Sequence, residues 1–236
     1  MTEEIFRNDA YTISCEASVV DVDEDGFELD RTVFYPMGGG QPGDTGVLRA
    51  VDSREVVIVD TTKSRVTGRH LHVPADGAPA LVVGDAVTAK IDWGRRHKLM
   101  RMHSTLHLLC ALIDSKITGA QVGVEKSRID FNLPDKPLDK DHISAELNRL
   151  IGENRPMSAQ WITDEELASK PDLIRTMSVK PPTGVGRVRL VAIEGVDLQP
   201  CGGTHVSSTG EIGRIRVGKI ENKGKHNRRI NVHLDD

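Results

Sequence analysis

Between Ala86 and Trp93 the apolar side chains Val87, Ala89, Ile91 and Trp93 fall on alternate positions, the two-residue period of a half-buried strand. Val56 to Val59 forms a short apolar run, and Asp25-Gly26 and Asp76-Gly77 mark turns. These signals predict a compact β-rich region ending near Asp92 to Gly94. At Arg95 the rhythm changes. Leu99, Met102, Leu106, Leu109 and Ile113 recur at three- and four-residue steps, which predicts an amphipathic helix running to about Lys116.

Ile143, Leu147, Leu150 and Ile151 repeat the helical period, with Pro156 beyond them as a stop. Thr163-Asp164-Glu165-Glu166 has the form of a capping box opening a shorter helix. Strands return at Val188 to Ile193, Ile212 to Glu221 and Arg228 to Leu234, the last two joined by a glycine-containing turn. Lys180-Pro181-Pro182-Thr183-Gly184 reads as an exposed loop. Helices and strands segregate more than they alternate, so the second part is α+β rather than doubly wound.

Composition narrows the function. The 236 residues suffice for one large domain or two modest ones. A formal net charge of -4 argues against a protein that grips nucleic acid through overall positive charge, and 3% aromatic residues leave no base-stacking platform. Two local basic clusters remain: Arg95, Arg96, Lys98 and Arg101, and Lys219, Lys223, Lys225, Arg228 and Arg229. Each reads either as solvated surface or as a phosphate-contacting patch. Three cysteines, no apolar leader after Met1 and no membrane-length apolar run lead us to expect a cytoplasmic protein with no membrane role.

His103-x-x-x-His107 carries the first chemical signal, because residues four apart on a helix share a face and both imidazoles can point at one metal ion. Alone the pair is weak evidence, since a helix histidine pair is more often structural or coincidental. Cys201-Gly-Gly-Thr-His205 supplies a second pair, its glycines allowing the tight turn that brings both side chains together. Two separated Cys/His pairs are how small domains assemble a tetrahedral zinc site. Cys110 and Cys15 read as core, and His70 and His72 as structural or surface residues.

Arg101-Met-His103-Ser-Thr-Leu-His107-Leu-Leu109, Arg128-Ile-Asp130-Phe131 and Cys201-Gly-Gly-Thr-His205-Val, followed by Thr209-Gly-Glu-Ile-Gly213, resemble the editing domain of alanyl-tRNA synthetase. Phe34-Tyr35-Pro-Met-Gly38-Gly39-Gly40-Gln41-Pro-Gly43-Asp44-Thr45-Gly46 is similar to that family's glycine-rich motif. With no room before these motifs for an ATP-dependent aminoacylation domain, the chain resembles AlaX, the free-standing alanyl-tRNA editing family, in its medium-length form. The fold this implies is α+β: a glycine-rich, β-barrel-like domain over residues 1–93 and a zinc-binding editing domain over 94–236.

The resemblance further implies Zn2+ held by His103, His107, Cys201 and His205, and hydrolysis chiefly of serine, with glycine as a further candidate, from tRNA(Ala) without ATP. A synthetase pocket rejects a smaller amino acid, or one that adds only a hydroxyl, weakly, so a second site must destroy the product. The glycine-rich loop lacks the residues of a phosphate cradle. It is either a plain turn or, as the resemblance favours, a segment placing Gln41 or Asp44 where serine recognition is influenced. Thr105 and Gln121 are candidates for contact with the serine hydroxyl or terminal ribose, with a packing and a loop role as their alternatives. Arg228 and Arg229 are candidate tRNA contacts, and Arg128 with Asp130 reads as substrate-facing or as an ion pair. No catalytic side chain is assigned. Rival functions are a zinc-stabilised tRNA-binding module without catalysis and editing of another tRNA, such as Ser-tRNA(Thr).

Overall fold

The computed structural model describes residues 2–64, 67–133, 138–177 and 186–235. The Lys180 to Gly184 loop expected from the sequence lies outside the described residues. Contacts divide the chain into two compact units, Met1–His97 and Lys98–Asp236. The α+β class expected from the sequence holds, with strands dominating.

In the first unit, β1 (Glu3–Glu4), β2 (Ser14–Asp23), β3 (Gly26–Leu29), β4 (Arg31–Thr32), β5 (Gly46–Ala50), β6 (Glu55–Lys63), β7 (His70–Pro74) and β8 (Ala86–Ile91) follow one another. Six of them close an antiparallel barrel in the order β2-β3-β7-β6-β5-β8, which leaves no open sheet edge in the ring. The short β1 pairs in parallel with β4. Alternation decides which residues enter the barrel: Val56 and Ile58 of β6 are buried while Val57 and Val59 are exposed, and Val87, Ala89 and Ile91 of β8 all point inward. Phe27, Leu29, Phe34 and Leu48 complete that core.

The glycine-rich segment is a tight turn on this barrel. Gly38 and Gln41 exchange backbone hydrogen bonds of 3.0 and 2.9 Å, and Gly39 and Gly40 take positive φ values of 57° and 85°. Gly43 and Gly46 serve close packing instead: a Cβ on Gly43 would lie 2.0 Å from the Thr61 carbonyl oxygen, and one on Gly46 2.2 Å from that of Lys90.

The helix begun by the second sequence rhythm is α1 (Trp93–Leu112). It stops short of the expected Lys116, and it is not amphipathic along its second half, since every residue from Met102 to Cys110 is buried. Polar Ser104, Thr105, His103 and His107 therefore lie inside the protein and must find partners there. The second unit continues with β9 (Ile117–Gln121), β10 (Lys126–Asn132), α2 (Lys140–Gly152), β11 (Met157–Thr163), α3 (Asp164–Ala168), β12 (Arg187–Ile193), β13 (Asp197–Pro200), β14 (Ile215–Asn222) and β15 (Asn227–Leu234). They form a four-stranded sheet, β14-β15-β10-β9, and a three-stranded sheet, β11-β12-β13.

Local sequence explains several of these boundaries. Asp139 caps α2 by accepting from the amides of Asp141 and His142, and Ile143, Leu147, Leu150 and Ile151 bury its inner face. Thr163 and Glu166 form the capping box read from the sequence. Among the described residues no helix is long and apolar enough to cross a membrane.

Candidate metal centre

Two elements of the second unit bring the four candidate metal ligands together. One turn separates His103 from His107 on α1, so their rings share a face. The other pair stands just past β13, where Arg189 donates from Nη1 to the carbonyl oxygens of Cys201 and Gly203, 3.0 Å each, and holds the Cys-Gly-Gly turn in place. The amide of Val206 donates to Ser104 Oγ at 3.3 Å, tying the loop to α1 beside the histidines.

The result is a group that could hold a metal ion: one ligand atom each from His103, His107, Cys201 and His205, all within 4.8 Å of one another. Cys201 Sγ lies 3.5 Å from His103 Nε2 and 3.6 Å from His205 Nε2, and His205 Nε2 lies 3.1 Å from His107 Nε2. Zinc bonds of about 2.3 Å to sulfur and 2.0–2.1 Å to nitrogen give a regular tetrahedron edges of about 3.6 Å (S to N) and 3.3 Å (N to N). The donor set and three of its edges fit such an ion.

Charge in the cluster agrees with that fit. Burial alone raises the Cys201 thiol, but the imidazoles of His103 and His205 outweigh it and hold the thiol well below its ordinary value, which favours the thiolate a metal needs. Burial pushes His205 down to about 3, so that it stays neutral. At His107 burial also lowers the value, yet hydrogen bonding to Asp197 and the nearby Cys201 lift it to about 9. The local field there welcomes positive charge.

Behind His107 lies a polar layer that the sequence reading did not single out. Asp197 Oδ2 is 3.2 Å from His107 Nδ1, and Gln199 Nε2 donates to the same carboxylate oxygen at 2.7 Å. The available signal was the alternation Asp197, Gln199, Cys201 along one strand and its extension. That pattern puts two buried polar side chains on the face that also presents a ligand.

The other candidates take the following places. Asp44 accepts from Arg96 Nε through both oxygens, at 3.0 and 2.9 Å, and from the Tyr35 amide at 2.6 Å. Gln41 is buried in the turn it closes with Gly38. Thr105 is buried and donates back to the Arg101 carbonyl at 2.9 Å, the packing role left open above. Gln121 is the exposed last residue of β9 rather than part of a loop, and accepts from Arg128 Nε at 3.1 Å. Asp130 pairs with Arg128 at 2.9 Å and takes both prongs of Arg229 at 2.8 Å. Arg229 is thus engaged within the sheet, while Arg228 donates to the Asn227 carbonyl at 3.3 Å.

One expectation needs correction. The cluster Arg95, Arg96, Lys98 and Arg101 is not a solvated patch. Arg96 is fully buried on Asp44, Arg95 donates to the Gly43 carbonyl and Arg101 to that of Ile212, leaving Lys98 exposed. Of the two readings left open for His70 and His72, structural or surface, the structural one holds. Both are buried in the first unit with stacked rings, and His72 meets Thr32 Oγ1 at 2.8 Å and the Phe27 carbonyl at 3.0 Å.

Comparison with known proteins agrees with this architecture. Residues 7–95 match the family model described as tRNA synthetases class II (A), and residues 188–231, which include Cys201 and His205, match that described as threonyl and alanyl tRNA synthetase second additional domain. Barrel unit and Cys/His unit together place the molecule among the chains built from these synthetase-type parts. It is 40% identical to the alanyl-tRNA editing protein AlaX-M of Methanosarcina acetivorans over the whole of both chains, and 36% identical to AlaX-M of Saccharolobus solfataricus over 98% of each. It is also 32% identical to the alanine–tRNA ligase of Sulfurisphaera tokodaii, across 93% of this chain and 25% of that longer protein. The chain belongs to the AlaX family of alanyl-tRNA editing proteins.

Proposed function

We propose that this chain is a zinc-dependent hydrolase that removes wrongly attached amino acids, serine first and glycine second, from tRNA(Ala) while sparing correctly charged Ala-tRNA(Ala). The observation that carries the reading is the convergence of His103, His107, Cys201 and His205 onto one point with near-tetrahedral edges. The names of its full-length relatives supply the substrate class. In this reading residues 94–236 carry the chemistry and residues 1–93 form the accessory glycine-rich domain. The reaction is hydrolysis of an ester by water, which needs no ATP, and the compartment is the cytoplasm, where charged tRNA is used.

The four side chains would hold Zn2+, which supplies Lewis acidity for an ester carbonyl or for water. What the chain itself contributes is placement. Arg189 fixes the loop that carries Cys201 and His205, and the buried α1 fixes the two remaining imidazoles. Cys201→Ala and His107→Ala should lower bound zinc and hydrolysis of Ser-tRNA(Ala) in parallel; a variant free of metal yet fully active would sink the proposal.

One observation favours a second reading. Four protein ligands close a tetrahedral shell, as in structural sites, whereas catalytic zinc keeps a position open. A metal-stabilised tRNA-binding module would lose its fold on zinc removal and cleave no ester. Because the matched additional domain is shared by threonyl and alanyl enzymes, Ser-tRNA(Thr) belongs in the same assay as a competing substrate.

A further inference from the structure

Asp197 is a buried carboxylate with little to account for it. It opens β13 directly after the turn at Gly195, whose φ of 68° lets the chain reverse from β12. Its side chain is wholly buried, and among the described residues Oδ1 has no hydrogen-bond partner; Arg175 Nη2 stands 3.9 Å from it. Oδ2, in contrast, sits 3.2 Å from His107 Nδ1 and accepts from Gln199 Nε2 at 2.7 Å. A carboxylate in such a place is favoured by a cation nearby, and beyond the distant Arg175 the ligand cluster is where one would sit.

The arrangement around His107 has a direction. Its Nε2 faces the other ligand atoms, 3.1 Å from His205 Nε2, while its Nδ1 faces both the Asp197 carboxylate at 3.2 Å and Gln199 Nε2 at 3.0 Å. Nδ1 can accept from Gln199 or donate to Asp197; a metal on Nε2 needs the lone pair there, which leaves the proton on Nδ1 and directs it to Asp197. We infer that Asp197 is a positioning residue that fixes the metal-binding tautomer of His107 and balances the charge of the bound cation, with Gln199 holding the carboxylate in place. The inference rests on the zinc reading above.

The charge count supports the same role. One thiolate and three neutral imidazoles around a divalent cation leave a net charge of plus one, and the Asp197 carboxylate brings the buried assembly to zero. Histidine ligands elsewhere depend on such partners, whose loss weakens metal binding about 10- to 100-fold. Asparagine at this place would be especially damaging, because its amide nitrogen can donate to Nδ1 and stabilise the opposite tautomer, whose Nε2 carries the proton.

The test is zinc affinity of the full chain, measured by competition with a chromophoric chelator, together with the nuclear magnetic resonance signal of the His107 Nδ1 proton in zinc-loaded protein. Asp197→Asn is expected to bind zinc about 10- to 100-fold more weakly and to shift or lose that proton signal. Binding within twofold of the unmodified chain, or weaker binding with the signal unmoved, overturns the role assigned to Asp197 and leaves the zinc reading standing. If the unmodified chain binds no zinc, both fall. Should Asp197→Asn fail to fold, Gln199→Leu decides: a severalfold weaker affinity is expected, and unchanged affinity overturns the inference.

Discussion

At the scale of single residues, burial turns ordinary side chains into commitments. Arg96 and Asp44 are both almost wholly buried and form an ion pair, so removing one leaves the other without its partner charge. Asp44→Ala should therefore cost about 3–5 kcal/mol, read as a lower urea midpoint; a midpoint near that of the unmodified chain would contradict the pairing. His72 makes a different prediction. Burial, then the nearby His70, lowers its value from 6.5 to about 3, so the folded state refuses a proton that the unfolded chain accepts. Stability from this group is complete above pH 6.5 and falls as the pH drops towards 3, by up to about 1.4 kcal/mol per unit. His72→Phe should flatten that acid slope, and an unaltered slope would place the titration elsewhere. The sequence made the clustered His103, His107, Cys201 and His205 legible through the spacing of two pairs and the motifs around them. Arg96 was illegible there because a charge in a row of charges says nothing about what lies across the fold.

Among elements, α1 shows how far a periodic pattern can be trusted. Leu99, Met102, Leu106 and Leu109 announced the helix and its start, but its burial on every side from Met102 to Cys110 depends on what packs around it, which no period records. The helix at Thr163 was legible to its cap, since capping is local chemistry, whereas that at Ile143 was legible by period and its Asp139 cap was not singled out. Of the barrel strands, β8 was legible by alternation and β6 as a short apolar run, whereas the polar layer of Asp197 and Gln199 was missed because two polar residues on a strand ordinarily signal solvent. β15 carries a prediction of its own. Arg229 is tied to Asp130, so Arg228→Ala is expected to reduce the salt slope of tRNA binding by about one, while Arg229→Ala loosens the β10–β15 pairing first. Equal loss of slope in both variants would show that the ion pair opens to meet phosphate.

For the whole molecule, the ligand pairs are separated by most of the second unit's chain, with His103 and His107 near its start and Cys201 and His205 near its end. A metal bridging them closes a long loop and binds the folded state selectively, so chelation should lower the melting temperature and zinc should restore it in a concentration-dependent way. A melting temperature indifferent to chelator would remove the metal from the fold. The most direct test of the account is release of labelled serine from Ser-tRNA(Ala), run beside Ala-tRNA(Ala) and Ser-tRNA(Thr), with chelator and after zinc is returned. Rapid release of serine from tRNA(Ala), alanine retained, activity abolished by chelator and recovered with zinc is the predicted result; no ester cleaved under any condition would contradict it.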